Sequence, residues 1–268
     1  MTSRYLKLVG AVLGVMSLCT PAVADEATEL AKKLANPIAA LISAPLQVNY
    51  DENFGGDDEG SMWKTNIQPV VPLSIGENWN MISRTILPVI QQYDIPKADM
   101  DESGMGDIVQ SIFFSPKEPT SGGLIWGVGP VFLFPTASDE MLGGEKWGIG
   151  PTAVMLKQLG PWTFGMLANH VESIAGEDER ADISMSLIQP FVSFITARKT
   201  TIGINTESTY NWETDNWAIP INFTVMQLLK LGPQLVQVGG GIRYHADTTP
   251  GGPEELGGRF QVTFLFPK

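Results

Sequence analysis

The strongest constraint in this sequence is a rhythm of connections. Short turns, at Gly76-Glu77-Asn78, Lys117 to Gly122, Leu159-Gly160-Pro161, Ala197-Arg198-Lys199 and Leu231-Gly232-Pro233, alternate with longer polar stretches. The longer stretches run over 51–61, 94–105, 136–145, 175–181, 213–216 and 247–257. Between them lie twelve strand-like segments: 41–50, 62–74, 79–91, 106–116, 123–135, 146–157, 162–174, 182–196, 200–212, 217–229, 234–246 and 258–266. Most are longer than an ordinary globular strand and long enough for a tilted membrane crossing. An even strand number, with short turns at one end and long loops at the other, predicts an all-β fold: a twelve-stranded antiparallel transmembrane barrel of the bacterial outer membrane. Both termini then lie on the short-turn, periplasmic side.

Side-chain alternation agrees. In the last segment Phe260, Val262, Phe264 and Phe266 share one face, and Arg259, Gln261, Thr263 and Leu265 the other. One face needs an apolar medium and the other is too polar for a dry core, which suits a lipid-facing barrel strand. In 62–74, Trp63, Thr65, Ile67, Pro69, Val71 and Leu73 oppose Lys64, Asn66, Gln68, Pro72 and Ser74. Segments 200–212, 217–229 and 234–246 alternate in the same way. Segment 182–196 loses phase near Gln189-Pro190, which predicts a bulge. Trp63, Trp147, Trp212 and Trp217 border long loops, and Trp79, Trp162 and Phe266 border short turns, as two interfacial aromatic belts require.

Residues 1–24 read as a cleaved secretory signal peptide. Arg4 and Lys7 precede the apolar run Leu8–Leu18, and Ala22-Val23-Ala24 is a small-residue cleavage site. Residues 25–40 form a lead-in with a short helix over Asp25–Asn36, ended by Pro37; it is expected to lie on the surface, the alternative being a plug or a periplasmic interaction helix. The barrel occupies 41–268. The one cysteine, Cys19, falls in the signal peptide, so disulfides and thiolate chemistry are excluded from the mature chain. Losing Arg4 and Lys7 takes the formal charge from −12 to −14, a balance unsuited to nucleic acid.

Projecting the polar alternation inward gives a lumen lined by Lys64, Gln68, Arg84, Asn205, Glu207, Asn222, Gln237, Arg243 and His245. Arg84, Arg243 and Glu207 are candidates for a salt-bridged network. Twenty-one of the 29 acidic residues, Asp51 and Glu52 among them, fall in the long connections, either as a cation-concentrating mouth or as solubilising charge and lipopolysaccharide contacts. Asp99 to Gly104 mimics the start of a calcium loop, but its twelfth position is Gln110, so no metal is expected. Gly239-Gly240-Gly241 reads as tight strand packing, not a nucleotide loop, and no cofactor is expected. His170 and Glu172 share a face without an evident nucleophile on their strand, while Ser173 points away. The chain is therefore read as no enzyme; an outer-membrane hydrolase would need a serine from a neighbouring strand.

Several motifs together resemble a known family: Asn66-Ile67-Gln68-Pro69, Ser83 to Pro88, Gly106-Asp107-Ile108, Phe113 to Lys117, Gly143 to Gly148, Asn169-His170, Gln189-Pro190-Phe191, Glu207 to Tyr210 and Leu265 to Lys268. The set is similar to a bacterial outer-membrane β-barrel family often labelled "transporter" or "neuromedin U", related to the phenol-degradation meta-pathway outer-membrane family. Two positions depart from it: Glu172, and Glu255-Leu256, stand where tryptophan-containing patterns are expected. The resemblance implies an outer-membrane barrel, and with it a passive transporter for small molecules, hydrophobic organic compounds among them. Its partners are membrane lipid, lipopolysaccharide and the barrel-assembly machinery. The alternative is a closed structural or interaction barrel.

Overall fold

The structure, a computed structural model, describes residues 21–267, with helix side chains from Thr28 onward. Most of the signal-peptide segment lies outside the described residues. After the helix α1 (Pro21–Leu34) come sixteen strand segments: β1 (Ile42–Phe54), β2 (Gly60–Ile67), β3 (Val70–Ile75), β4 (Trp79–Tyr93), β5 (Glu102–Met105), β6 (Ile108–Pro116), β7 (Leu124–Phe134), β8 (Lys146–Leu159), β9 (Trp162–Gly176), β10 (Ser184–Ile195), β11 (Thr200–Thr206), β12 (Ser208–Asn211), β13 (Asn216–Ala218), β14 (Pro220–Leu231), β15 (Gln234–His245) and β16 (Leu256–Phe266). Four staves are interrupted (β2/β3, β5/β6, β11/β12 and β13/β14), so the segments form a closed antiparallel barrel of twelve strands. The ring closes where β16 pairs with β1, from Ile42 opposite Phe266 to Tyr50 opposite Gly258.

The interruptions have chemical causes. Proline donates no amide hydrogen to a ladder. Pro69 sits in the first break and Pro220 beside the last. Pro190 lies across from the β11/β12 break, and the pairing on either side of it stays in register, Ile188 with Ser208 and Phe191 with Asn205. The expected bulge at Gln189-Pro190 is therefore absent. β10 pairs with β9 without a shift from Ser184 to Phe194, and the irregularity is a missing donor. Register shifts occur instead at Glu52/Phe54 and Trp147/Gly148.

The outward face is apolar and edged with aromatics. Trp63, Trp79, Trp147, Trp162, Trp212, Trp217 and Phe266 are all exposed. Tyr50 packs on Trp63 at 4.7 Å between ring centroids, and Trp162 on Phe194 at 4.8 Å. The inward face at the short-turn end is filled. Ile82, Phe113, Val154, Leu156 and Leu167 pack around Ile38, which enters the barrel from the segment after α1. Leu30, Ala39 and Leu41 pack on Leu228 and Leu265. Gly241 serves close packing of the strands, since a Cβ there would lie 1.8 Å from the Phe223 carbonyl oxygen.

The helix is thus a plug and not the surface element expected. Its apolar positions Leu30, Ala31 and Leu34 face the barrel mouth. The Gln158 amide donates to the Lys32 carbonyl at 2.8 Å, and Lys199 donates to the Thr28 hydroxyl. Asn36 turns the chain inward: its side chain accepts from the Ile38 amide at 3.0 Å, and Pro37 prevents the helix from continuing.

Candidate functional site

Above the plug lies a cavity of about 770 Å³ within the barrel. Its walls differ. Leu133, Leu167, Val171, Leu187 and Phe191, on β7, β9 and β10, form a mainly apolar side, interrupted by Asn169 and Gln189. The other side, built on β15, β16, β1, β2 and β4, carries Arg243, Arg259, Gln47, Lys64 and Arg84. Glu207, at the β11/β12 break, reaches across to it.

A hydrogen-bonded network organises the polar wall. Glu207 takes Arg259 in a two-pronged contact at 2.8 and 2.9 Å, and the Arg243 Nη1 at 3.5 Å. Arg243 Nε donates to Asp51 at 2.9 Å, and Asp51 also meets His245 Nε2 at 3.0 Å. Asn49 accepts from Arg259 Nε at 2.8 Å and from Arg243 at 3.3 Å. Two acids and two guanidiniums meet, Glu207 and Arg259 in fork geometry and Arg243 by single contacts to each acid, which suits burial of the ions without orphaned charge.

Of the sequence-derived lumen residues, Lys64, Gln68, Arg84, Asn205, Glu207, Gln237 and Arg243 border the cavity. Asn222 is buried beside it and donates to Asn205 at 2.9 Å. His245 sits behind it, held by Asp51. Arg84 does not join Glu207 in a direct contact, but donates to Gln68 at 3.0 Å; Arg259 takes its place in the network. Asp51 is not a loop residue. β1 runs to Phe54, so Asp51 continues the inward row of Gln47 and Asn49 and is buried. That row, and Arg259 on the polar face of the last strand, are signals the sequence carries.

The long-loop end is partly roofed. Asp107 accepts the amides of Thr136 and Ala137, each at 3.1 Å, and of Gly144 at 2.7 Å, drawing the 135–145 connection over the cavity. Arg180 ties the next loop to it through the carbonyls of Glu140 and Gly143, at 2.7 and 2.6 Å. In that loop Asp182 pairs with Lys146 at 3.2 Å, and the hydrogen bond and charge of Lys146 hold its carboxyl below the ordinary range.

His170 and Glu172 face outward, in phase with Phe164 and Met166 and away from the cavity-lining Leu167, Asn169 and Val171.

No protein-family model matches the chain, and no curated protein matches it. Among solved structures, the chain is similar to the COG4313 outer membrane channel from Pseudomonas putida F1, at TM-score 0.64 and 14% identity, covering 85% of this chain and 96% of that one. The beta domain of the Bordetella autotransporter BrkA matches at TM-score 0.42 and 9% identity, over 84% and 100%. At these identities the first likeness speaks to the fold: a barrel of the outer-membrane type.

Proposed function

We propose that the protein is an outer-membrane channel through which small organic molecules diffuse passively. The observation that carries this is the two-sided cavity, which a barrel serving only as a wall does not need. Five cations border it (Lys33, Lys64, Arg84, Arg243 and Arg259) against the carboxylates Asp107 and Glu207. Among the described residues Lys64 makes no ion pair within 4.0 Å, and the Arg84 side chain hydrogen-bonds only to the neutral Gln68. An apolar wall facing a basic one suits a solute with an apolar body and a negative group. The similar P. putida structure is described as a channel, which supports the reading, as does the resemblance to the "transporter" family. In this reading the short-turn end faces the periplasm, and the acidic loops face outward toward lipopolysaccharide.

Planar-bilayer recording of the purified protein tests the proposal. Stepwise conductance with anion preference is expected. No conductance, together with no change in uptake of small aromatic acids on deletion, would remove it. The plug favours a second reading, a closed barrel, because α1 and Ile38 fill the short-turn mouth. Conductance absent from the intact protein and gained only on removal of the plug would favour that reading.

A further inference from the structure

The outward position of His170 and Glu172 acquires a meaning from the strand beside them. Ser186 on β10 lies directly opposite His170 on β9. Its hydroxyl is 3.0 Å from His170 Nδ1, and His170 Nε2 is 3.2 Å from Glu172 Oε2. The Trp212 indole N–H donates to the Ser186 oxygen at 2.9 Å. With the imidazole neutral, as a general base must be, these contacts set a direction. A carboxylate only accepts, so Glu172 places the imidazole proton on Nε2 and leaves Nδ1 bare. Nδ1 then accepts from the Ser186 hydroxyl, whose oxygen already accepts from Trp212. A serine whose proton points at a histidine, itself oriented by a carboxylate, is the arrangement of an activated nucleophile.

We infer that Ser186, His170 and Glu172 form a hydrolase site on the outer wall, acting on the acyl esters of membrane lipids. The barrel wall separates the site from the lumen, so its substrate must come from the surrounding phase. His170, Ser186, Tyr210 and Trp217 stand opposite one another along one row of the sheet, which puts the site at the aromatic belt. Exposed Ile149, Ile174 and Ile188 flank it on the same face. The Glu172 side chain is 56% exposed there. A carboxylate is tolerated on a barrel's lipid face near the interface far better than at the midplane, and the interface is where lipid ester carbonyls lie. The inference rests on reading the barrel as an outer-membrane protein, but not on its being a channel.

The step balances without a co-reactant other than water. Ser186 Oγ bonds to the ester carbonyl carbon as its proton passes to His170 Nδ1. The ester C–O bond then breaks, and the departing alcohol oxygen of the lysolipid takes that proton. Water then gives a proton to His170 and its oxygen to the acyl carbon; the bond from that carbon to Ser186 Oγ breaks, Oγ takes the proton back from His170, and fatty acid leaves. Trp212 and Glu172 are positioning residues: one aims the hydroxyl, the other aims the imidazole.

The test uses the full mature chain in liposomes. Dioleoylphosphatidylethanolamine and lipid A are supplied in separate arms, and released fatty acid is measured by mass spectrometry. Release in one arm identifies that lipid as the substrate. Ser186→Ala and His170→Ala should lower release by roughly 10³-fold or more. Glu172→Gln should lower kcat with KM unchanged, and Glu172→Asp should recover part of the loss. A lipid-chain fluorophosphonate should label Ser186 in the wild type. Heat-modifiable gel mobility and flotation with the liposomes establish that each variant is folded and inserted. A folded, inserted wild type that releases no fatty acid in either arm and takes no label would overturn the inference, leaving an interfacial polar patch. Equal release by Ser186→Ala would overturn it too. Failure of the wild type to insert would remove the outer-membrane reading, and the lipid substrate with it.

Discussion

Replacing Glu207 by Gln leaves Arg259 without its carboxylate. Arg243 keeps Asp51 at 2.9 Å, so the uncompensated charge is Arg259, whose side chain is only 4% exposed. Removing one partner of a buried pair costs about 3–5 kcal/mol. Glu207 itself is 27% exposed to the cavity, and Asn49 still accepts from Arg259 Nε, so the low end applies. A loss of about 3 kcal/mol lowers the folding equilibrium constant roughly 150-fold. Guanidinium titration of the detergent-folded barrel, followed by tryptophan fluorescence, measures it. The double replacement of Glu207 and Arg259 by Gln should cost clearly less than the sum of the two single ones, with a coupling of about 2 kcal/mol. In bilayers the single Glu207→Gln variant adds one net positive charge to the lumen and should shift the reversal potential further toward anions. Stability within about 0.5 kcal/mol of wild type, or strict additivity in the double variant, would refute the network as a structural unit.

Three further outcomes are expected. Lys64→Glu with Arg84→Glu should convert anion preference into cation preference in a KCl gradient, because it replaces both cations that lack a carboxylate contact on the basic wall. Deleting residues 25–40 should raise single-channel conductance several-fold, since it empties the mouth occupied by Leu30, Ile38 and Ala39; unchanged conductance would mean the plug is already displaced in the membrane. Deleting Gln261–Lys268 should abolish membrane assembly, because it removes the residues that pair with β1 from Ile42 to Gln47 and opens the ring; heat-modifiable, inserted protein after that truncation would count against the closing role.

The ring was legible because a barrel wall writes itself into sequence with period two. Phe260, Val262, Phe264 and Phe266 announce one face, Arg259 and Thr263 the other, and turn chemistry marks each reversal. Individual partners were not legible. Alternation says that Arg84, Arg243 and Arg259 all point inward, but not which of them meets Glu207, since that depends on stagger between strands far apart in the chain. The charge of Asp51 resembles a loop signal more than a strand signal, although the residue lies within β1. Only the row Gln47, Asn49, Asp51 shows that the strand continues. The plug was hidden for a different reason. A helix with Leu30 and Leu34 on one stripe needs a cover, and the sequence does not say whether that cover is the outside of a domain or the inside of a barrel.

The placement of polar groups on this barrel follows from what each side of the wall can tolerate. Inward, a charge can be matched by charges from strands on every side, and the Asp51–Arg243–Glu207–Arg259 cluster draws on four staves to do so. Outward, matching is restricted to adjacent strands and to the lipid boundary. His170, Glu172 and Ser186 find partners only along β9, on β10 and at the end of β12, and they lie on the row of Trp217 rather than at mid-height. A polar group that served only as a lipid contact would gain nothing from a directed chain of donors running from Trp212 through Ser186 and His170 to Glu172. A random outward polar substitution would more often stand alone. The cross-strand register turns the Glu172 carboxylate into the end of a proton path. Strand register, which closes the barrel at Ile42 and Phe266, thus also brings His170 and Ser186 opposite one another.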